Sequence, residues 1–220
     1  MLGKNEPTVI SVPGALKLVG LVGGVWAILV VLAATMAYLP GHSDFSLFTT
    51  YLSDIGDTAG WPQILFNSGT LIGAPIRYLV VVLLALRLAQ WGAGRAFVVS
   101  ALVVGLISSA GTALMTAAPF SAAPTVHKLG IPLYFLGVVV LQTVIFFKER
   151  SLKVPPLLPG LSLLMVIVFL IFATLMMLYE RGAVGRNTPV IWEWLCFISS
   201  VVWLFAHSVL LGKGTVLRRV

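Results

Sequence analysis

The stretch FTTYLSDIGDTAGWPQILFNSG sets Asp54 and Asp57 beside Ser53, with Asp44 just upstream, in a chain that has only seven acids. Carboxylates next to a hydroxyl can cap a turn, help to ligate a metal, or bind or react with a polar ligand such as a lipid head group. A histidine would extend the last two, and the chain holds His42, His127 and His207. Glu193 is a further candidate: it lies between Trp192 and Trp194 at the start of an apolar run. An acid partly buried there needs a partner.

Which of these groups can meet depends on the elements that carry them. Of the 220 residues, 59% are hydrophobic and 10% charged, and mean hydropathy is +1.05. Soluble domains carry about 25% charged residues. The apolar residues fall in six runs, at 16–39, 64–86, 96–118, 129–147, 157–178 and 190–211. Each is near the roughly 20 residues that a helix needs to cross a bilayer core. Continuous runs of that length exclude barrel strands. The expected fold is all-α: a single transmembrane domain over 1–220, with six transmembrane helices in one bundle and one long loop, 40–63. The first run exceeds a signal-peptide core and lacks a good cleavage site, so it reads as an uncleaved helix. A lone cysteine, Cys196, allows no internal disulfide.

Lys and Arg collect on the cytoplasmic side of short loops. Ten of the fourteen lie on the side of the two termini, and only Lys128, Arg181 and Arg186 lie on the other; Arg77 falls within a helix. Both termini are therefore expected inside and the acidic loop outside. Topology accounts for the net charge of +7, and no nucleic-acid partner is expected.

This orientation places His42, Asp54, Asp57, His127 and Glu193 near the outer face. His207 lies about 20 Å deeper than Glu193 along the same helix, so His127 and His207 make poor axial ligands for one haem. His42 and His127 lack the paired spacing of a zinc site. No metal and no cofactor are expected, and GxSxG, P-loop and GxGxxG motifs are missing. Ser53-Asp54 reads first as a cap on the turn towards Trp61-Pro62, with Gly56 allowing a tight reversal. The functional reading joins Ser53 and Asp54 to His127 and Glu193 as a polar cluster for a lipid head group. Gly69 and Gly73, and the stripe Ser108, Thr112 and Thr116, suit close helix packing. Arg77 lies about 22 Å along its helix from Pro62. It is expected to point into the bundle, towards Ser108 and Thr112 or freed carbonyls; Asp54 and Glu193 are the nearest acids, and Glu193 is the expected acidic partner.

YLSDIGDTAGWPQILFNSGTLIG resembles the Ser-Asp-x-Gly loop, followed by a proline and then an asparagine, of a broad group of six-helix membrane proteins. The group includes the damage-regulated autophagy modulators and the membrane proteins of GPI-anchor lipid remodelling. The resemblance is greatest to a prokaryotic branch of unknown function. IWEWLCF is similar to the group's Glu-aromatic opening of the last helix, and AAPFSAAPTVHKLG to its proline-then-histidine loop. Ile55 stands where many relatives have Thr, and Asp57 is outside the pattern. The resemblance implies Ser53, Asp54, Gly56, Asn67, His127 and Glu193 as a shared outer-face set in a prokaryotic cell membrane, and it implies no reaction. Two functions follow as expectations. The first is binding, sensing or remodelling of membrane lipids at the outer leaflet. The second is a non-enzymatic subunit whose small-residue faces dock a membrane-protein partner or a second copy.

Overall fold

A computed structural model describes residues 11–213. The described residues form seven α-helices and no strand. In chain order these are α1 (Val12–Tyr38), the short α2 (Leu52–Asp57), α3 (Trp61–Gln90), α4 (Arg95–Ala117), α5 (Pro124–Ser151), α6 (Leu157–Glu180) and α7 (Val190–Leu211). All but α2 are long and apolar enough to cross a membrane. The loop expected over 40–63 therefore contains a helix that hydropathy does not show. The apolar runs also understate α5, which extends to Ser151 through Lys148, Glu149 and Arg150.

Local chemistry explains the helix ends. Ser11 caps α1 by accepting from the Gly14 amide at 3.3 Å, with Pro13 in the first turn. Before α3 the chain reverses at Gly60, whose φ of 98° suits glycine, and Pro62 then occupies the tolerated first turn. Gly56 does not make this turn, contrary to expectation. It sits inside α2, where a Cβ would lie 2.6 Å from Phe66 Cδ1, so its role is to let α2 lie close on α3. α3 continues unbroken through Pro75.

Around the molecule, α1 packs on α3, α3 on α4, α4 on α5, α5 on α6, α6 on α7, and α7 returns to α1. The six long helices thus close a ring. Backbones approach closely at α4 against α5, where a Cβ on Gly111 would lie 2.4 Å from the Tyr134 amide nitrogen. Apolar side chains fill the ring and also cover its exterior. Leu18, Val22, Val25, Leu29, Leu32 and Met36 form an exposed stripe along α1, while Ser108, Ser109, Thr112, Ser162, Ser199 and Ser208 are buried. Hydrocarbon as solvent selects that arrangement, because apolar side chains face it at no cost and polar groups must find protein partners.

One end of the ring carries α2 with the segments at 118–123 and 181–189; the opposite end carries the described termini. At the terminal end, Arg87 donates through Nε to the Leu211 carbonyl at 3.0 Å and through Nη2 to the Lys213 carbonyl at 3.1 Å. It thereby serves carbonyls at the end of α7 and just beyond it. Beside it, Glu149 and His207 are fully buried and 2.7 Å apart. His207 Nδ1 lies 2.8 Å from the Trp203 carbonyl, which only accepts, so Nδ1 carries a proton and Nε2 faces Glu149 Oε1. Ser162 donates to Glu149 Oε2 at 3.0 Å and accepts from Trp203 Nε1 at 2.9 Å. This network ties α5, α6 and α7 together through direct side-chain bonds.

Glu149→Ala strands His207 in a sealed site and should cost about 3–5 kcal/mol. Replacing both groups by leucine should cost less than the sum of the single changes, as a double-mutant cycle of thermal unfolding in detergent would show. Additive losses would mean that the two side chains are not coupled.

Candidate functional site

The polar residues singled out by sequence divide into three places. The first is α2. Its opening amides have no partners within the helix, as at any helix start. Glu193, in the first turn of α7, supplies one: its Oε2 accepts from the Leu52 amide at 2.6 Å and the Ser53 amide at 3.4 Å. Asp54 turns back to accept from the Tyr51 amide at 2.9 Å. Its Oδ2 also pairs with Arg186 Nη2 at 2.5 Å, and Arg186 Nη1 donates to the Thr49 carbonyl at 2.8 Å. Tyr51 donates its hydroxyl to the Arg186 carbonyl at 2.7 Å, and Trp194 Nε1 donates to the Thr50 carbonyl at 2.9 Å. Asn67 holds the other end of α2 by donating to the Gly56 carbonyl at 2.8 Å. Ser53, Asp54, Gly56, Asn67 and Glu193 therefore meet, and together they fasten α2 across the ring as a lid. Leu52 and Ile55 are buried beneath it.

Charge and burial reinforce the fastening. The hydrogen bond to Asp54 raises the Arg186 pKa above its ordinary value. Burial pushes the Tyr51 hydroxyl from 10.0 to about 12, so it remains a donor throughout the physiological range.

The second place is the turn between α4 and α5. His127 Nδ1 lies 3.0 Å from the Met115 carbonyl and 3.1 Å from the Ala118 carbonyl, so it carries a proton and closes the end of α4. It makes no bond to Asp54 or Glu193 and stands apart from the lid cluster that the sequence reading joined it to. Asp57, outside the family-like pattern, is what connects this turn to the lid. Its Oδ1 accepts from the Ser121 amide at 3.0 Å and hydroxyl at 2.6 Å. His42 stacks on Tyr38 with ring centroids 3.8 Å apart. Among the described residues, no three His, Cys, Asp or Glu side chains are grouped to hold a metal ion.

The third place is Arg77. Its Nη2 donates to the Ser108 carbonyl at 3.1 Å and to Thr112 Oγ1 at 2.6 Å, as its position on α3 led us to expect. Its guanidinium carbon lies 4.9 Å from the centre of the Tyr134 ring. α3 and α5 are not neighbours in the ring, and their side chains converge only on the inner side of α4, so Arg77 points into the ring. Glu193 is not its partner, because that carboxylate is spent on α2. Among the described residues, the basic and acidic side chains within 4 Å of each other are Arg186 with Asp54 and His207 with Glu149.

Sequence reading missed the Glu149–His207 pair because Lys148 and Arg150 make Glu149 look like a loop charge. The available signal was depth: each lies near the terminal end of its helix.

No family model, curated protein or solved structure matches this chain.

The two carboxylates on the lid differ in weight. The Asp54–Arg186 pair is partly exposed, and such pairs contribute about 0–1 kcal/mol. Removing Glu193 orphans lid amides, at about 1–3 kcal/mol for an unsatisfied buried group. Glu193→Ala should therefore speed amide hydrogen exchange over residues 52–57 more than Asp54→Asn does, and Asp44→Asn should leave it unchanged. Equal rates in all three variants would remove Glu193 as the anchor of the lid.

Proposed function

We propose that the chain is an integral membrane protein of a prokaryotic cell, with both termini inside and α2 outside, that binds or senses lipid at the outer leaflet. The observation that carries this reading is a lid of polar design fastened over a ring whose interior holds the Arg77 charge. A purely structural plug would not need a cation beneath it, and intramembrane charge generally marks a ligand or ion path. The bias of Lys and Arg towards the terminal side supports the orientation.

The expected site residues take a changed role in this reading. Ser53, Asp54, Asn67 and Glu193 hold the lid, and His127 holds the turn beside it. Their polar atoms are largely engaged, which favours binding or sensing over remodelling of a lipid. Docking of a partner through small-residue faces has less support. Trp26 Nε1 donates to the Gly69 carbonyl at 2.8 Å, and Gly73 faces the same indole. Ser108, Thr112 and Thr116 are buried within the ring. Those faces are occupied by the chain itself.

The test is the lipid that stays with the protein. Extraction from the host membrane in mild detergent, followed by lipid mass spectrometry, should find one lipid class enriched over its share of that membrane. A retained set that mirrors the bulk membrane would defeat the proposal.

A further inference from the structure

We propose that Arg77 is the anchor of an internal oxyanion site, which takes the phosphate or carboxylate of an acidic amphiphile beneath the lid. The inference rests on the lipid-binding reading and adds the charge of the ligand and the residue that reads it.

A guanidinium has five N–H donors, and this one places two of them, both on Nη2, on the Ser108 carbonyl and Thr112 Oγ1. Both acceptors are neutral. They fix the plane of the group without cancelling its charge. The Tyr134 side chain is a further neutral neighbour, and no acid among the described residues takes the donors that are left. The fully buried polar side-chain atoms without a partner among the described residues are Thr35 Oγ1 and Gln142 Oε1. Arg77 itself is half-buried.

The charge needs an answer in that position. An arginine at mid-membrane costs about 2.5–3.5 kcal/mol on insertion scales, and such residues pair with other charges or with backbone oxygens. The acids of the lid cannot serve. Glu193 is held by Leu52 and Ser53, and Asp54 by Arg186 and Tyr51. Exchange of partners would orphan the lid amides. The Tyr134 ring contributes a cation–π contact that orients the guanidinium but supplies no net negative charge. The Ser108 carbonyl and Thr112 hydroxyl are neutral, and a ligand anion would add the negative charge they lack. Arginine's planar donors suit phosphate and carboxylate oxygens, and the apolar faces around the site suit a ligand with an acyl chain.

Wild-type protein in nanodiscs, exchanged against equal amounts of phosphatidylglycerol and phosphatidylcholine, would test this by native mass spectrometry. A parallel arm would measure thermal stabilisation in detergent by inorganic phosphate alone. Wild type should retain phosphatidylglycerol with about tenfold preference, the effect of one charge-assisted contact. Arg77→Gln should reduce that preference to near one, and the exposed control Lys128→Gln should leave it intact. Arg77-dependent stabilisation by free phosphate, without lipid preference, would support the oxyanion site and assign it a soluble anion. Lipid retained without regard to charge, and no effect of phosphate, would overturn the site while leaving lipid binding in place. No retained lipid of any class would overturn both. If Arg77→Gln does not fold, Arg77→Lys keeps the charge without the planar donors and should weaken the preference. An unchanged preference in either variant would overturn the assignment to Arg77.

Discussion

Hydrocarbon offers no hydrogen bond. In a chain with 10% charged residues and six helices apolar enough for a membrane, a polar group at depth needs a partner other than lipid. The architecture follows from this. Apolar side chains turn outward, hydroxyls turn to carbonyls of their own or the next helix, and glycines on α4 and α5 bring those backbones close enough to meet. Fully buried acid and base at one end are answered by each other. At the other end, the unpaired amides of a short helix are answered by carboxylates from α2 itself and from α7.

The lid illustrates how one constraint produces another. Six residues make too short a helix to persist alone, since nucleation is costly and few bonds repay it. α2 exists because Glu193, Asp54 and Asn67 complete its backbone bonds and because Leu52 and Ile55 are buried against the ring. Those same bonds occupy the acids that would otherwise be free to approach Arg77. The charge inside the ring meets neutral acceptors, and the lid holds Asp54 and Glu193. The lid and the cation are two sides of one distribution of charge.

Much of this was legible in the sequence, and the parts that were not share a cause. The six long helices follow from hydropathy, because lipid imposes one requirement on all of them. The inward turn of Arg77 towards Ser108 and Thr112 follows from the cost of a charge facing lipid. The short α2 was hidden because its stability is tertiary: nothing in YLSDIGD announces a carboxylate arriving from 141 residues away. Gly56 read as a turn because glycine near aspartate usually is one; here close packing on Phe66 uses the same missing Cβ. His127 was grouped with the lid acids from depth and from the resemblance of its loop, and neither says which side of the ring a residue faces.

The central claim is that Arg77 is a charge the chain does not neutralise itself. A density map of the protein in nanodiscs of native lipid tests it most directly. The predicted result is non-protein density at ion-pair distance from the Arg77 guanidinium, beneath an α2 still held by Glu193. A protein carboxylate closed on Arg77, or a guanidinium surrounded by water alone, would contradict it.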